Sequence, residues 1–292
     1  MAFPKDGVVV APAIEPSDYG LFSVAKPEPT TLSDEDRWIR TFAQEWDTSI
    51  YSAKNWDDTD TTSSSIASDA TPTRFTQIKP FFIEVEEQIS TFGYTALDRF
   101  ERISRQIKGI TQKAVEQELW DGVIREGESH DNIALSASTA TILNSGTALS
   151  ISRALALLDF KIGSTSPCGE QGVIHMTRDC AALLSSSYMI FHTADGRLET
   201  IAGTPIIVGS GYSGTGPTGA TGATATDGNK WMYGTGSVET YVGKVDVVND
   251  SNGQAYDVSG NQNDMKLKAI RPAAVYFDTT IHLAVRVDLT AA

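Results

Sequence analysis

Apolar positions along the chain change period several times, and those changes divide it into elements. The clearest pattern covers 95–122, where Leu97, Phe100, Ile103, Ile107, Ile110, Val115 and Leu119 recur every three to five residues. That spacing predicts one long helix with a single apolar stripe. Thr95 with Asp98 can form a capping pair at its start, Asp98/Arg102 and Glu101/Arg105 are spaced as i,i+4 pairs, and Gly122 supplies a left-handed stop. A second helix is expected over 148–160, with Leu149, Ile151, Leu155, Ala156, Leu158 and Phe160 as its apolar positions.

Period-two patterns predict strands elsewhere. Over 75–89, Phe81, Ile83, Val85 and Ile89 alternate on one face. Residues 172–176 read as a buried strand, 179–185 as a short helix, and 189–193 with 197–201 as a hairpin turned at Asp195-Gly196. A further short strand at 205–208 precedes the Gly/Thr/Ala loop 209–230, and the chain closes on strands at 237–248, 267–271 and 275–289. In the last of these, Ile281, Leu283, Val285, Val287 and Leu289 alternate with His282, Ala284, Arg286 and Asp288, as in a half-buried strand. The fold class is α+β.

The segments before the long helix are less self-sufficient. Residues 1–36 carry Pro4, Pro12, Pro16, Pro27 and Pro29, which favour an extended arm that needs a surface to lie on; a neighbouring subunit is the simplest such surface. Over 37–51, Trp38, Phe42, Trp46 and Ile50 share a face in a strand or a helix; we read a strand, the rising limb of a hairpin. The polar run 55–73 would be its tip and 75–89 its return. A lone two-stranded ribbon is marginal in water, so this excursion also calls for a partner surface.

Composition narrows the function. The chain has 292 residues, 40% hydrophobic and 21% charged, enough for a large packed core. A net charge of −14 repels nucleic acid and anionic membranes. Two cysteines without a CxxC fit free thiols in a reducing cytosol, and no apolar run approaches the roughly 18 residues of a membrane helix. The start has too short an apolar stretch for a signal peptide.

Enzyme-like signals are weak. GSGYSG at 209–214 matches GxGxxG after a strand, but GTGPTGATG follows where a phosphate-binding helix would have to begin. Cys168, His175 and Cys180 have no fourth ligand at a usual metal spacing. His130, His192 and His282 stand singly, and no nucleophile elbow is present. Asp57, Asp58 and Asp60 read as a solvated acidic loop, as does 246–257, because aligning Gly253 with an EF-hand glycine puts Val248 and Ser259 at the two anchoring ligand positions. We expect no catalytic residues, no cofactor and no metal.

Several segments, taken together and in order, resemble the major capsid proteins of tailed actinobacterial bacteriophages: YGLFSV at 19–24, EQELWDG at 116–122, GVIHMTRDCAALL at 172–184, RLETIAGTPIIVGSGYSGTGP at 197–217 and FDTTIHLAVRVDL at 277–289. The resemblance implies a Hong Kong 97-type capsid fold, shared with encapsulin shells. It assigns 1–36 to an N-terminal arm, 37–92 to an extended β-hairpin loop, 93–149 to a peripheral domain with its spine helix, 150–235 to an axial domain and 236–292 to the peripheral domain's C-terminal strands. It further implies pentamers and hexamers that tile an icosahedral head around double-stranded DNA held without specific binding, assembled in the host bacterial cytoplasm, and with a portal as partner.

Some relatives cross-link Lys to Asn. In the extended loop only Lys54, Asn55 and Lys79 are of those types and nothing makes them a set, so no cross-link is expected. A separate scaffolding protein and no N-terminal processing are expected, since no charged coiled-coil segment precedes the arm. Trp56, Arg74 and Phe75, flanking the polar hairpin tip, are the candidate contacts between subunits. The rival readings are an encapsulin-type nanocompartment shell and, more remotely, a nucleotide-dependent enzyme built around GSGYSG.

Overall fold

In a computed structural model, residues 17–29, 39–42, 75–78, 80–90, 96–122, 133–165, 172–249 and 264–290 are described. Helix α1 is Leu21–Val24, α2 is Ala96–Asp121, α3 is Ile151–Thr165 and α4 is Arg178–Ser186. Around them lie a five-stranded and an eight-stranded sheet and a separate strand pair.

The five-stranded sheet is built on Asp264–Phe277, which pairs antiparallel with Phe81–Ser90 along one edge and with Val238–Val242 and Asp246–Asn249 along the other. Glu28–Pro29 adds a parallel partner to Val238–Val242. The alternation read at 81–89 does its work here: Phe81 and Ile83 are buried and Val85 packs on the same core. α2 lies across this sheet, burying Ile103, Ile107, Val115 and Leu119 in one cluster with Leu267, Ala273 and Phe277. Gly122 adopts φ +70° and donates its N–H to the Glu118 carbonyl at 2.8 Å, so the helix stops where the sequence places a left-handed residue. Ile110, expected on the apolar stripe, is exposed instead, although at about 3.6 residues per turn it shares the side of Ile103.

The eight-stranded sheet follows Thr141–Ile142, His282–Asp288, Asn229–Thr235, Val173–Met176, Pro205–Val208, Leu198–Thr200 and Ile190–His192, with Leu149–Ser150 also beside His282–Asp288. α3 and α4 cover it, and Leu155, Leu158, Ile162, Ile174, Met176, Cys180, Leu184 and Ile206 form a second core. The hairpin about Asp195-Gly196 is present, with Gly196 at φ +79°. Thus Val238–Val242, Asp246–Asn249 and Asp264–Phe277 enter one sheet, while His282–Asp288 enters the other.

Some expected boundaries shift. The second helix begins at Ile151 because Leu149–Ser150 is held as a strand against Val287–Asp288. It runs on to Thr165, and Phe160, expected among its apolar positions, faces solvent. The stretch 237–248 is two strands, broken where Arg271 Nε donates to the Gly243 carbonyl at 3.0 Å. The stretch 275–289 is divided by a turn in which Thr280 N–H donates to Asp278 Oδ1 at 2.9 Å. His282–Asp288 is buried on both faces at His282–Val285, because it is an interior strand. Asn229–Thr235 is a strand with no forecast: its Trp231, Met232 and Tyr233 are all buried, so the alternation that marks a half-exposed strand is missing.

Ile39–Phe42 pairs antiparallel with Phe75–Ile78, in agreement with the strand reading of 37–51 at those four residues; the expected return limb 75–89 is two strands, the second of which, Phe81–Ser90, belongs to the five-stranded sheet.

Candidate functional site

The functional expectations converge on how the segment before α2 is held. Ala25 and Leu21 are buried on the chain's own core, so 17–29 finds its surface on its own subunit and not first on a neighbour. That corrects the expectation for this part of the arm. The anchor is Glu116, a fully buried acid on α2. Its Oε1 accepts the Leu21 N–H at 3.0 Å and the Gln112 Nε2 amide at 2.8 Å, and its Oε2 accepts the Ser210 hydroxyl at 3.0 Å and the Gly211 N–H at 2.9 Å. Four donors from three separate segments satisfy one carboxylate, which makes its burial affordable in free-energy terms.

The geometry explains two glycines. A Cβ on Gly20 would sit 1.5 Å from Gln112 Nε2, and one on Gly211 would sit 2.4 Å from the Lys113 carbonyl oxygen. Only a residue without a side chain at each position lets the Leu21 and Gly211 N–H groups come close enough to α2. Two bonds to arm carbonyls extend its docking: Val208 N–H donates to the Tyr19 carbonyl at 2.8 Å, and the Thr240 hydroxyl donates to the Ala25 carbonyl at 3.0 Å. The Tyr19 ring also meets His192 edge-on at 5.4 Å.

GSGYSG therefore serves packing. Gly214, at φ +79°, is followed by turns and not by a helix, and Tyr212 turns inward onto Trp120 with ring centroids 4.6 Å apart. Ser213 and Thr215 hydroxyls donate to Asp121 Oδ1 at 3.0 and 2.9 Å, and the Trp120 indole donates to Thr215 at 3.1–3.2 Å. Ser210, Ser213 and Thr215 thus rivet the loop to the C-terminal turns of α2.

A neutral relay runs behind it. Thr235 gives its hydroxyl proton to the Gly236 carbonyl (3.0 Å), so it accepts from His175 Nε2 at 3.0 Å. His175 Nδ1 then accepts the Tyr212 O–H at 2.9 Å. Burial, helped by the charge of His282, pushes the His175 pKa down to about 3, and burial raises Tyr212 well above the ordinary phenol range, so both stay neutral. With both ring nitrogens engaged, His175 has no lone pair for a metal. Cys180 is buried, accepts a hydrogen bond from the Thr177 hydroxyl at 3.3 Å, and is pushed up to about 11 by burial. Among the described residues no three His, Cys, Asp or Glu side chains cluster as metal ligands.

Trp56 and Arg74 lie outside the described residues, as do Lys54, Asn55, Lys79, Cys168, His130, Asp57, Asp58, Asp60 and Gly253. Phe75 begins a strand, its backbone opposite Phe42. Sequence reasoning quoted Glu116 only as the first residue of EQELWDG. The signal that would have singled it out is an acid at a helix position flanked by Val115 and Leu119, where a solvated charge is out of place.

No family model and no curated protein matches the chain. Solved structures do. The capsid of an empty GTA particle is similar with a TM-score of 0.59 at 11% identity, covering 98% of this chain and 94% of that one. The Mycobacterium phage Ogopogo structure reaches 0.50 at 12% identity, covering 96% and 95%. The holo-SrpI encapsulin complex from Synechococcus elongatus reaches 0.53 at 12% identity, covering 99% and 94%. The chain has the Hong Kong 97-type fold of these particle-forming proteins over almost its whole length.

Proposed function

We propose that the chain is the major capsid protein of a tailed bacteriophage, a structural subunit that self-assembles into pentamers and hexamers of an icosahedral head. The observation that carries this is end-to-end coverage: the likeness spans 96–99% of the chain, and the matched structures are the capsid of a GTA particle, a Mycobacterium phage and an encapsulin complex. Packing, not chemistry, uses the polar groups at the α2 junction, which favours a structural role over catalysis. A charge of −14 suits a wall that encloses double-stranded DNA without pinning its phosphates. A scaffolding protein, a portal and assembly in the bacterial cytoplasm follow from the same reading.

Within it, the peripheral unit would be α2 with the five-stranded sheet and the axial unit the eight-stranded sheet with α3 and α4, the last strand crossing back to the axial side. Contacts between subunits are proposed at Trp56, Arg74 and Phe75, because large aromatics and an arginine beside a polar hairpin tip suit burial on an adjacent copy.

The encapsulin match favours a second reading, a shell around a protein cargo. Expression of the chain followed by gradient sedimentation tests the proposal: fast-sedimenting particles support a shell, and a monomer under all assembly conditions refutes it. For particles purified from an infected or induced host, a nucleic-acid absorbance spectrum marks a phage head, and a protein spectrum with co-purifying cargo marks a nanocompartment.

A further inference from the structure

The eight-stranded sheet ends at Ile190–His192, and beside that end an apolar groove opens between α3 and the turn after Leu198–Thr200. Leu155 and Phe160 form one wall, Ile201 and Ala202 the other, and Met189 closes it. The walls are fixed to each other: Asp159 accepts the Thr200 hydroxyl at 3.1 Å on Oδ2 and the Thr204 hydroxyl at 2.5 Å on Oδ1. The groove is therefore preformed, and nothing from its own chain among the described residues fills it.

Its rim is unusually apolar for a water-facing surface. Ile201 is 85% exposed and Phe160 66%. Tyr188, one residue before Met189, is 84% exposed and held at φ +56°, a conformation that a bulky residue seldom adopts. Large apolar side chains grouped at one end of a sheet mark a contact surface.

Charge points to the occupant. Residues 150–208 carry four basic side chains, Arg153, Lys161, Arg178 and Arg197, and five acidic ones, a net of −1 on a chain of −14. The one ionisable residue lining the groove, Asp159, has both oxygens occupied by Thr200 and Thr204, so two copies brought together here meet little of the repulsion that a chain of −14 imposes elsewhere. Lys161 Nζ lies 5.8 Å from the Phe160 ring centroid, placing a cation on the rim. Nucleic acid finds no cationic patch in so balanced a segment.

We infer that this groove is a contact between copies of the chain, seating a large apolar side chain of the adjacent copy. The inference rests on the shell-subunit reading and adds to it a surface independent of Trp56, Arg74 and Phe75. Contact of groove with a different patch is the heterologous kind that closes rings.

Ile201→Asp and Phe160→Asp test it, with Phe160→Leu as the conservative control, by sedimentation velocity over a concentration series and by thermal melting of the dissociated subunit. Each Asp variant is expected to raise the concentration needed for assembly about tenfold or more, since an apolar contact is replaced by a buried charge. Phe160→Leu assembles as the native chain does, and subunit melting is unchanged. If the native chain assembles and both Asp variants assemble at the same concentration, the groove inference fails and the shell reading stands. If the Asp variants melt lower as subunits, the groove belongs to the chain's own packing and the inference fails. A native chain that stays monomeric throughout overturns both.

Discussion

Replacing Glu118 with Gln should stabilise the subunit at alkaline pH and leave it unchanged in mild acid. Glu118 lies on α2, only 2% exposed, and neither of its carboxyl oxygens has a hydrogen-bond partner among the described residues. Glu116, two residues earlier on the opposite side of the helix, has four donors, so the two acids sit in contrasting environments. Desolvation raises the Glu118 pKa from 4.5 to about 7.

Below pH 4.5 the carboxyl is protonated folded and unfolded, and burial carries no ionic cost. Between pH 4.5 and about 7 the unfolded chain releases its proton while the folded one keeps it, so stability falls as pH rises. The full loss above pH 7 is about 3 kcal/mol, from roughly 1.4 kcal/mol per pKa unit. Gln has the same shape and cannot ionise. Its subunit should gain about 2–3 kcal/mol at pH 8, on the order of 5 °C in melting temperature, and almost nothing at pH 4.5. Denaturant midpoints of native and Glu118→Gln subunits, held below assembly concentration at both pH values, provide the assay. A Gln variant equally destabilised at both would show that the carboxylate has a partner and that the reasoning is wrong.

The other predictions concern how segments are held. Glu116→Ala leaves three buried donors and the exposed Ser210 hydroxyl without their acceptor, should cost about 3–5 kcal/mol, and should expose 17–29 to limited proteolysis before the rest unfolds; an arm as resistant as the native one would contradict the anchoring role. Gly211→Ala drives a methyl into the α2 backbone and should lower the melting temperature by several degrees, whereas Gly219→Ala, with open space around its Cβ but a positive φ, should cost only about 1 kcal/mol. Trp56→Ala should lower the thermal stability of particles; full-size particles of native stability would remove that contact.

Much of the fold was legible where one face of an element meets water. α2 and Phe81–Ser90 announce themselves by period because each buries one side, and Gly122 and Gly196 mark a stop and a turn through the conformations only glycine adopts readily. Legibility failed where both faces are buried: Trp231, Met232 and Tyr233 form a strand interior without alternation, and His282–Asp288 reads as half-buried although it lies between other strands. Phe160 failed for the opposite reason, an apolar residue whose burial, on our inference, comes from another molecule. The arm's anchor was hidden because Glu116 looks like an ordinary helix acid, and its four donors come from residues up to 95 positions away.

The central claim, that this chain builds a closed shell from copies of itself, is tested most directly by electron cryomicroscopy of the purified protein under assembly conditions. The account predicts hollow icosahedral particles whose reconstruction shows the chain repeated in rings of five and six, with the groove at Phe160 and Ile201 covered by a neighbour. Open fibres, irregular aggregates or a field of single subunits at every concentration would contradict it.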